Sequence, residues 1–166
     1  MIPLLHPGSD ALALIEPDGS RWTHAELAGV VAERAAAMSG RKALVFCRCA
    51  TDARTVVDYL AALEAGHAVA MVDAAIAPEQ LKALCDRYEP GLVLGPDGAE
   101  ERKSSTRPHE DLALLLSTSG TTGSPKLVRL SLGAVEANAV SIALSLELGP
   151  DERAIASLPF HYSYGL

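Results

Sequence analysis

The sequence predicts an α/β protein with a mainly parallel sheet and helices on both faces. Short apolar runs alternate along the chain with longer segments of helical periodicity. Strands separated by helices form parallel sheets that are covered on both faces, which gives the fold class. A second observation is the stretch from Leu115 to Lys126, L-L-S-T-S-G-T-T-G-S-P-K, where an apolar strand gives way to small polar residues. In α/β sheets ligands bind where strands end, so this stretch is the first candidate for a binding site.

The first elements are a hairpin and a helix. Pro17-Asp18-Gly19 is a turn-forming sequence between two short runs, at residues 11–15 and 20–22, which predicts the hairpin. Thr23 and Glu26 have the spacing of a capping box, so a helix should begin there and end near Gly40.

Two strand–helix repeats and two further strands follow. Thr51 is expected to cap the second helix, Gly66 to end it, and Pro78 to begin the third, which must stop before Pro90. Buried strands are predicted over residues 43–47, 68–72, 91–94 and 112–116.

The remaining connections are more polar. Residues 95–111 are predicted to form a mobile surface loop, because they are rich in Pro, Gly, Ser and charge. After the polar stretch, a strand is expected over 127–130, then a helix capped by Ser131 and running to about Leu146. A last strand is expected over 154–158.

The amino-acid composition narrows the range of possible functions. The 166 residues fit one domain, and 49% hydrophobic residues provide a core. A net charge of −7 argues against a nucleic-acid partner. No run reaches the roughly 18 apolar residues of a membrane helix, and the N-terminus lacks signal-peptide features, so a cytoplasmic protein without membrane association is expected. Cys47, Cys49 and Cys85 lack metal-ligand spacing, and Cys47 is expected to be a small core residue.

The polar stretch suits an oxyanion. Between Ser117 and Lys126 it holds six hydroxyl side chains and two glycines. Glycine lets successive amides turn toward a ligand, and hydroxyls and an ammonium add donors. It matches neither the common triphosphate loop, G-x-x-x-x-G-K-[ST], nor the dinucleotide fingerprint G-x-G-x-x-G. A solvated loop without a ligand is the alternative.

The order of residues resembles a known signature. S-T-S-G-T-T-G-S-P-K is similar to the phosphate-binding signature of the adenylate-forming (AMP-binding) enzymes, which include acyl-CoA synthetases, adenylation domains and luciferases. Residues 22–27 resemble that family's early "(S/T)-Y-x-E-L" motif and residues 63–73 its "L-x-A-G" segment. Residues 158–166 resemble "L-P-L-F-H-x-F-G-L". The resemblance implies that residues 1–166 are the N-terminal part of the large AMP-binding domain.

The resemblance also implies a reaction. In that family a carboxylate attacks the α-phosphate of ATP, giving an acyl-adenylate and pyrophosphate. A thiol of CoA or of an acyl-carrier protein then accepts the acyl group. The residues that match the phosphate-holding positions are Thr118, Ser119, Gly120, Thr121, Thr122 and Gly123. Lys126 matches the loop's lysine, with a catalytic role near the leaving pyrophosphate, and a Mg²⁺ ligand is expected from the part of the family fold beyond this chain.

The last motif concerns the substrate. His161, Tyr162, Tyr164 and Gly165 match positions around the acyl pocket. Amino-acid-activating relatives commonly carry an aspartate at the position of Gly165, where it pairs with the substrate ammonium. Glycine therefore favours a fatty, short-chain or aryl acid. Tyr162 stands where many relatives carry histidine, which leaves the role of His161 open.

Several family motifs have no counterpart in the chain: those of the magnesium glutamate, the ribose aspartate, the hinge and the lysine of the mobile C-terminal lid domain. An N-terminal fragment that is inactive alone is therefore expected. The alternatives are an amino-acid adenylation domain of a peptide synthetase, a non-catalytic binding module, and half of a split enzyme.

Overall fold

The computed structural model describes residues 5–117, 127–149 and 152–162. It contains a small two-stranded sheet and a six-stranded sheet with four helices. The strands are β1 (Leu12–Ile15), β2 (Arg21–Thr23), β3 (Leu44–Cys49), β4 (Ala68–Asp73), β5 (Leu92–Gly95), β6 (Gly98–Glu101), β7 (Leu112–Ser117) and β8 (Leu127–Ser131). The helices are α1 (His24–Ala37), α2 (Ala53–Glu64), α3 (Pro78–Tyr88) and α4 (Leu132–Ser145).

The large sheet has the order β6-β5-β3-β4-β7-β8. Its four central strands are parallel, and an antiparallel strand closes each edge. The predicted mainly parallel α/β sheet is confirmed.

Side chains on alternate strand positions form two cores. On one face, Val45, Cys47 and Leu114 pack with α1 and α2, and α4 adds partly buried residues. On the other face, Phe46 and Leu115 pack with residues of α3. Helices therefore lie on both faces, as predicted.

Local signals positioned the first helix correctly. Thr23 accepts a hydrogen bond from the Glu26 amide, and the Glu26 carboxylate accepts one from the Thr23 amide, which completes the capping box. For α2 the prediction was one residue early. Asp52 is the N-cap, and its side chain accepts a hydrogen bond from the Thr55 amide at 2.8 Å. It lies directly before the first helical residue and has the extended backbone that an N-cap adopts.

Two predictions, for residues 95–111 and for residues 154–158, were wrong. Part of the predicted 95–111 loop is β6, which pairs with β5 across a turn ending at Gly98 (φ +123°). Its side chains are mostly exposed, so main-chain pairing rather than burial forms the strand and no apolar pattern announces it. Residues 154–158 form no strand, because they lie beside β1 and the start of α2 rather than beside an edge of the sheet.

Candidate functional site at the carboxyl edge of the sheet

The polar stretch is anchored at both ends by a pair of antiparallel strands. Ser117, the last residue of β7, pairs with Leu127, the first residue of β8. The sites predicted at Thr118, Ser119, Gly120, Thr121, Thr122, Gly123 and Lys126 lie outside the described residues. The structure therefore gives the position of the loop's two ends.

The strand that leads into the stretch is held firmly. Leu114 is 1% exposed and Leu115 is 6% exposed, and they face opposite cores. β7 also pairs with β4 on one side and with β8 on the other. The loop thus starts from a rigid strand at the edge where parallel strands end, which is the usual ligand side of such sheets.

The last motif reaches the same edge. His161 lies with its Nε2 3.9 Å from Oδ2 of Asp73, the final residue of β4. The β4–β7 ladder runs to Ala70 opposite Leu115, two residues before Ser117 at the start of the polar stretch. Asp73 and Ser117 thus end neighbouring strands, and His161 stands beside Asp73.

The residues around His161 form a turn. The Tyr162 amide donates to the Pro159 carbonyl at 3.0 Å, and Phe160 packs against the core on the α1–α2 side. Nδ1 of His161 is buried and has no hydrogen-bond partner among the described residues, while Tyr162 is 39% exposed. Tyr164 and Gly165, the other two predicted pocket residues, lie outside the described part of the chain.

Sequence reasoning missed a cation at this edge. Arg48, near the end of β3, donates from Nη1 to Asp97 at 2.8 Å and from Nη2 to the Ala74 carbonyl at 3.0 Å. Its side chain is 21% exposed, and Gly95 lies against it. Because Ala74 follows β4 and Asp97 follows β5, the guanidinium of Arg48 connects the ends of the parallel strands β3, β4 and β5. A single charged residue inside the apolar run L-V-F-C-R-C was the available signal.

Replacing Gly95 by alanine is expected to displace Arg48. A Cβ at Gly95 would lie 3.0 Å from the Arg48 Cβ and 3.2 Å from its Cδ. Overpacking of this kind costs about 1–3 kcal/mol, which urea unfolding measures. Gly29→Ala in α1 is the control, because nothing lies within 4 Å of the added methyl and a helix gains about 0.5–1 kcal/mol from alanine. Equal effects of the two substitutions would contradict the close contact.

Two of the three cysteines, Cys47 and Cys85, have a raised pKa. The hydrogen bond with Cys49 and then burial raise the pKa of Cys47, and burial raises the pKa of Cys85. Cys47 is 1% exposed, so its predicted place in the core is confirmed. Among the described residues, no three His, Cys, Asp or Glu side chains come together as metal ligands.

No helix in the described part of the chain has the length and apolar character needed to cross a bilayer.

Comparison with known proteins agrees with this geometry. Residues 89–166, which include β7, the polar stretch and β8, match the AMP-binding enzyme family. The sulfoacetate–CoA ligase of Cupriavidus necator is 44% identical over 54 residues, 32% of this chain and 11% of that protein. A feruloyl-CoA synthase of an Amycolatopsis species is 37% identical over 57 residues, 34% of this chain and 12% of that protein.

A solved structure extends the likeness to nearly the whole chain. The ATP-bound structure of MatB from Rhodopseudomonas palustris has a TM-score of 0.80 and 23% identity, which shows a shared fold. It covers 95% of this chain, whereas the chain spans 39% of that structure. Residues 89–166 are thus similar to the AMP-binding enzyme family and in part to CoA ligases, and the chain as a whole shares the fold of the adenylate-forming enzyme structures that it matches.

Proposed function

We propose that the protein containing this chain activates a carboxylic acid with ATP, releasing pyrophosphate, and passes the acyl group from the acyl-adenylate to a thiol. The observation that carries the proposal is the polar stretch between Ser117 and Leu127, closed by strand pairing at the carboxyl edge of the sheet. The AMP-binding match includes this stretch, and it supports the use of ATP.

The chain's own residues would bind and orient the phosphates. Amides and hydroxyls of Thr118–Gly123 would hold the β- and γ-phosphates, and Lys126 would stabilise the charge that develops on the departing pyrophosphate. Holding the carboxylate in line with the α-phosphate is the main contribution, since fixed geometry replaces a bimolecular encounter. Mg²⁺ would neutralise the phosphates, with its protein ligand supplied from beyond this chain.

The acid is proposed to lack an α-amine. Gly165 cannot supply the carboxylate that pairs with an amino-acid ammonium, whereas His161, Tyr162 and Tyr164 would form one end of an acyl pocket. The relatives are named for sulfoacetate and ferulate, two acids without an amine, which supports this class. Both are CoA ligases by name, which favours CoA over a carrier protein as the acceptor.

The chain spans 39% of the MatB structure, so the activity is proposed for a larger protein. By itself the 166-residue chain is expected to bind phosphate weakly and to be inactive, because the adenosine, magnesium and lid contributions lie outside it. We propose a cytoplasmic location for this protein.

The test is acid-dependent ATP–pyrophosphate exchange by the product of the complete gene. We expect exchange with one of a panel of short-chain, fatty and aryl acids, dependent on Mg²⁺, and none with amino acids. Exchange with amino acids alone would instead identify an adenylation domain of a peptide synthetase. ATP binding without exchange for any acid would indicate a non-catalytic module.

The same assay on the 166-residue chain tests the expected inactivity. Turnover by the chain alone would show that the residues of the phosphate stretch suffice. Exchange that appears only when a second polypeptide is added would indicate a split enzyme.

A further inference from the structure

A groove of about 550 Å³ lies on the α3 face of the sheet, away from His161. It is bordered by the end of α3, by segment 106–111 and by β8; we call it the α3-side groove. Helix α3 covers the central strands on this face, and among the described residues no helix covers β7 and β8 there. The volume is within the range of small-molecule sites, about 300–1,000 Å³.

The floor of the groove is apolar. It consists of leucines from three strands and one aromatic ring, namely Leu44, Leu112, Leu115, Leu127 and Tyr88. Leu44 and Leu115 are nearly buried, and the ring of Tyr88 packs edge-on against Phe46. An aliphatic or aromatic body laid on this floor would remove further apolar surface from water, which favours binding.

The rim is positively charged. Arg87, Arg107 and Arg129 come from three different elements and line the same groove. Only one carboxylate, Asp111, accompanies them among the lining residues, although the whole chain has a net charge of −7. Arginine recognises carboxylate and phosphate through paired N–H donors, so this rim favours an anionic group.

Hydrogen bonds hold residues 104–106, at the outer wall of the groove, to the end of α3. Thr106 Oγ1 donates to the Tyr88 carbonyl at 3.0 Å, and the hydroxyls of Ser104 and Ser105 donate to the carbonyl and the carboxylate of Glu89. Nη1 of Arg107 donates to the carbonyls of Ser105 and Thr106, both at 3.1 Å. The hydrogen bonds hold one of the three guanidiniums in place, so part of the rim is formed before any ligand arrives.

We propose that the α3-side groove binds a small amphipathic anion, with its apolar body on the leucines and its carboxylate or phosphate head between Arg107 and Arg129. The rim of this site uses none of the residues assigned to the acid-activating centre, and one end of its floor, Leu127, directly follows the polar stretch. His161 stands at the carboxyl edge beside Asp73, whereas the groove extends to Leu112 and Ser131, where β7 begins and β8 ends. The proposal does not depend on the reaction proposed above.

The test is titration calorimetry of the 166-residue chain with decanoate and with decyl phosphate. NMR of leucine methyl groups, followed in parallel, should show shifts at Leu112, Leu115 and Leu127. The double variant Arg107→Gln/Arg129→Gln should lower the affinity for both anions at least about tenfold, since two charge-assisted contacts are lost. Decanol should bind the parent chain and the double variant equally. Lys103→Gln is the matched control, an exposed cation on the same connection that does not line the groove, and should leave binding unchanged.

Arg87→Gln provides a second variant if a thermal melt shows that the double substitution alters folding. Arg87→Gln should also lower the affinity for both anions. A preference between decanoate and decyl phosphate identifies the head group, provided the methyl shifts fall in the groove. Binding that the arginine variants do not change would overturn the proposal. So would methyl shifts confined to residues outside the groove, or no binding of either anion. Exchange activity is not the readout, so failure here and failure of the acid-activating function are distinguishable.

Discussion

Replacing Lys126 by alanine is expected to lower kcat for acid-dependent pyrophosphate exchange by roughly 10²–10³-fold in the product of the complete gene. Removal of one donor that acts on charge developing in a transition state has an effect of this order. The KM for ATP should change much less, because the ammonium acts mainly on the departing pyrophosphate. Steady-state exchange kinetics over a range of ATP concentrations separate the two parameters.

The control for Lys126 is Lys103→Ala, which removes an equal charge from an exposed position. It should leave both parameters unchanged. If Lys126→Ala exchanged pyrophosphate at the parent rate, the assignment of this lysine would be wrong. An equal loss in both variants would mean that general surface charge, rather than a contact with the leaving group, is responsible.

Replacing Phe46 by alanine is expected to destabilise the chain by about 3–5 kcal/mol. Phe46 lies in the central strand β3, is 0% exposed and packs edge-on against Tyr88 at a centroid distance of 6.4 Å. The substitution leaves a cavity between the sheet and α3 that this close-packed core cannot fill. Urea unfolding followed by circular dichroism measures the free energy of unfolding.

Val30→Ala in α1 is the matched control, because Val30 is 39% exposed and should change stability by no more than about 0.5 kcal/mol. A loss of less than about 1 kcal/mol for Phe46→Ala would show that the α3 face of the sheet collapses around the missing ring.

Local signals predicted most of the elements. The Thr23–Glu26 capping box and the apolar runs of β3, β4 and β7 depend on residues that are close in sequence, so they can be read without the fold. β6 was missed because its stability comes from pairing with β5, and exposed Ala99 and Glu100 carry no strand pattern. The strand expected over 154–158 was predicted from an apolar run alone, and this run pairs with no strand among the described residues.

The candidate site likewise combines features that the local sequence predicted with one that depends on long-range contacts. The polar stretch and the His161 motif are each contiguous in sequence. The composition of the first predicted an oxyanion site, and the family resemblance of the second implied an acyl pocket. The approach of His161 to Asp73 joins residues that are far apart in the sequence, and no local pattern encodes it.

By itself, the sequence determined the α/β class, most element boundaries and the small, polar composition of the stretch after β7, because each of these depends on neighbouring residues. The tertiary structure alone decided which strand ends meet. It brought His161 to Asp73 at the end of β4, spread Arg48 across three strands, and brought Arg87, Arg107 and Arg129 around one groove. The physical reason is that strand order and register arise from long-range pairing and burial, which act between residues far apart in the chain.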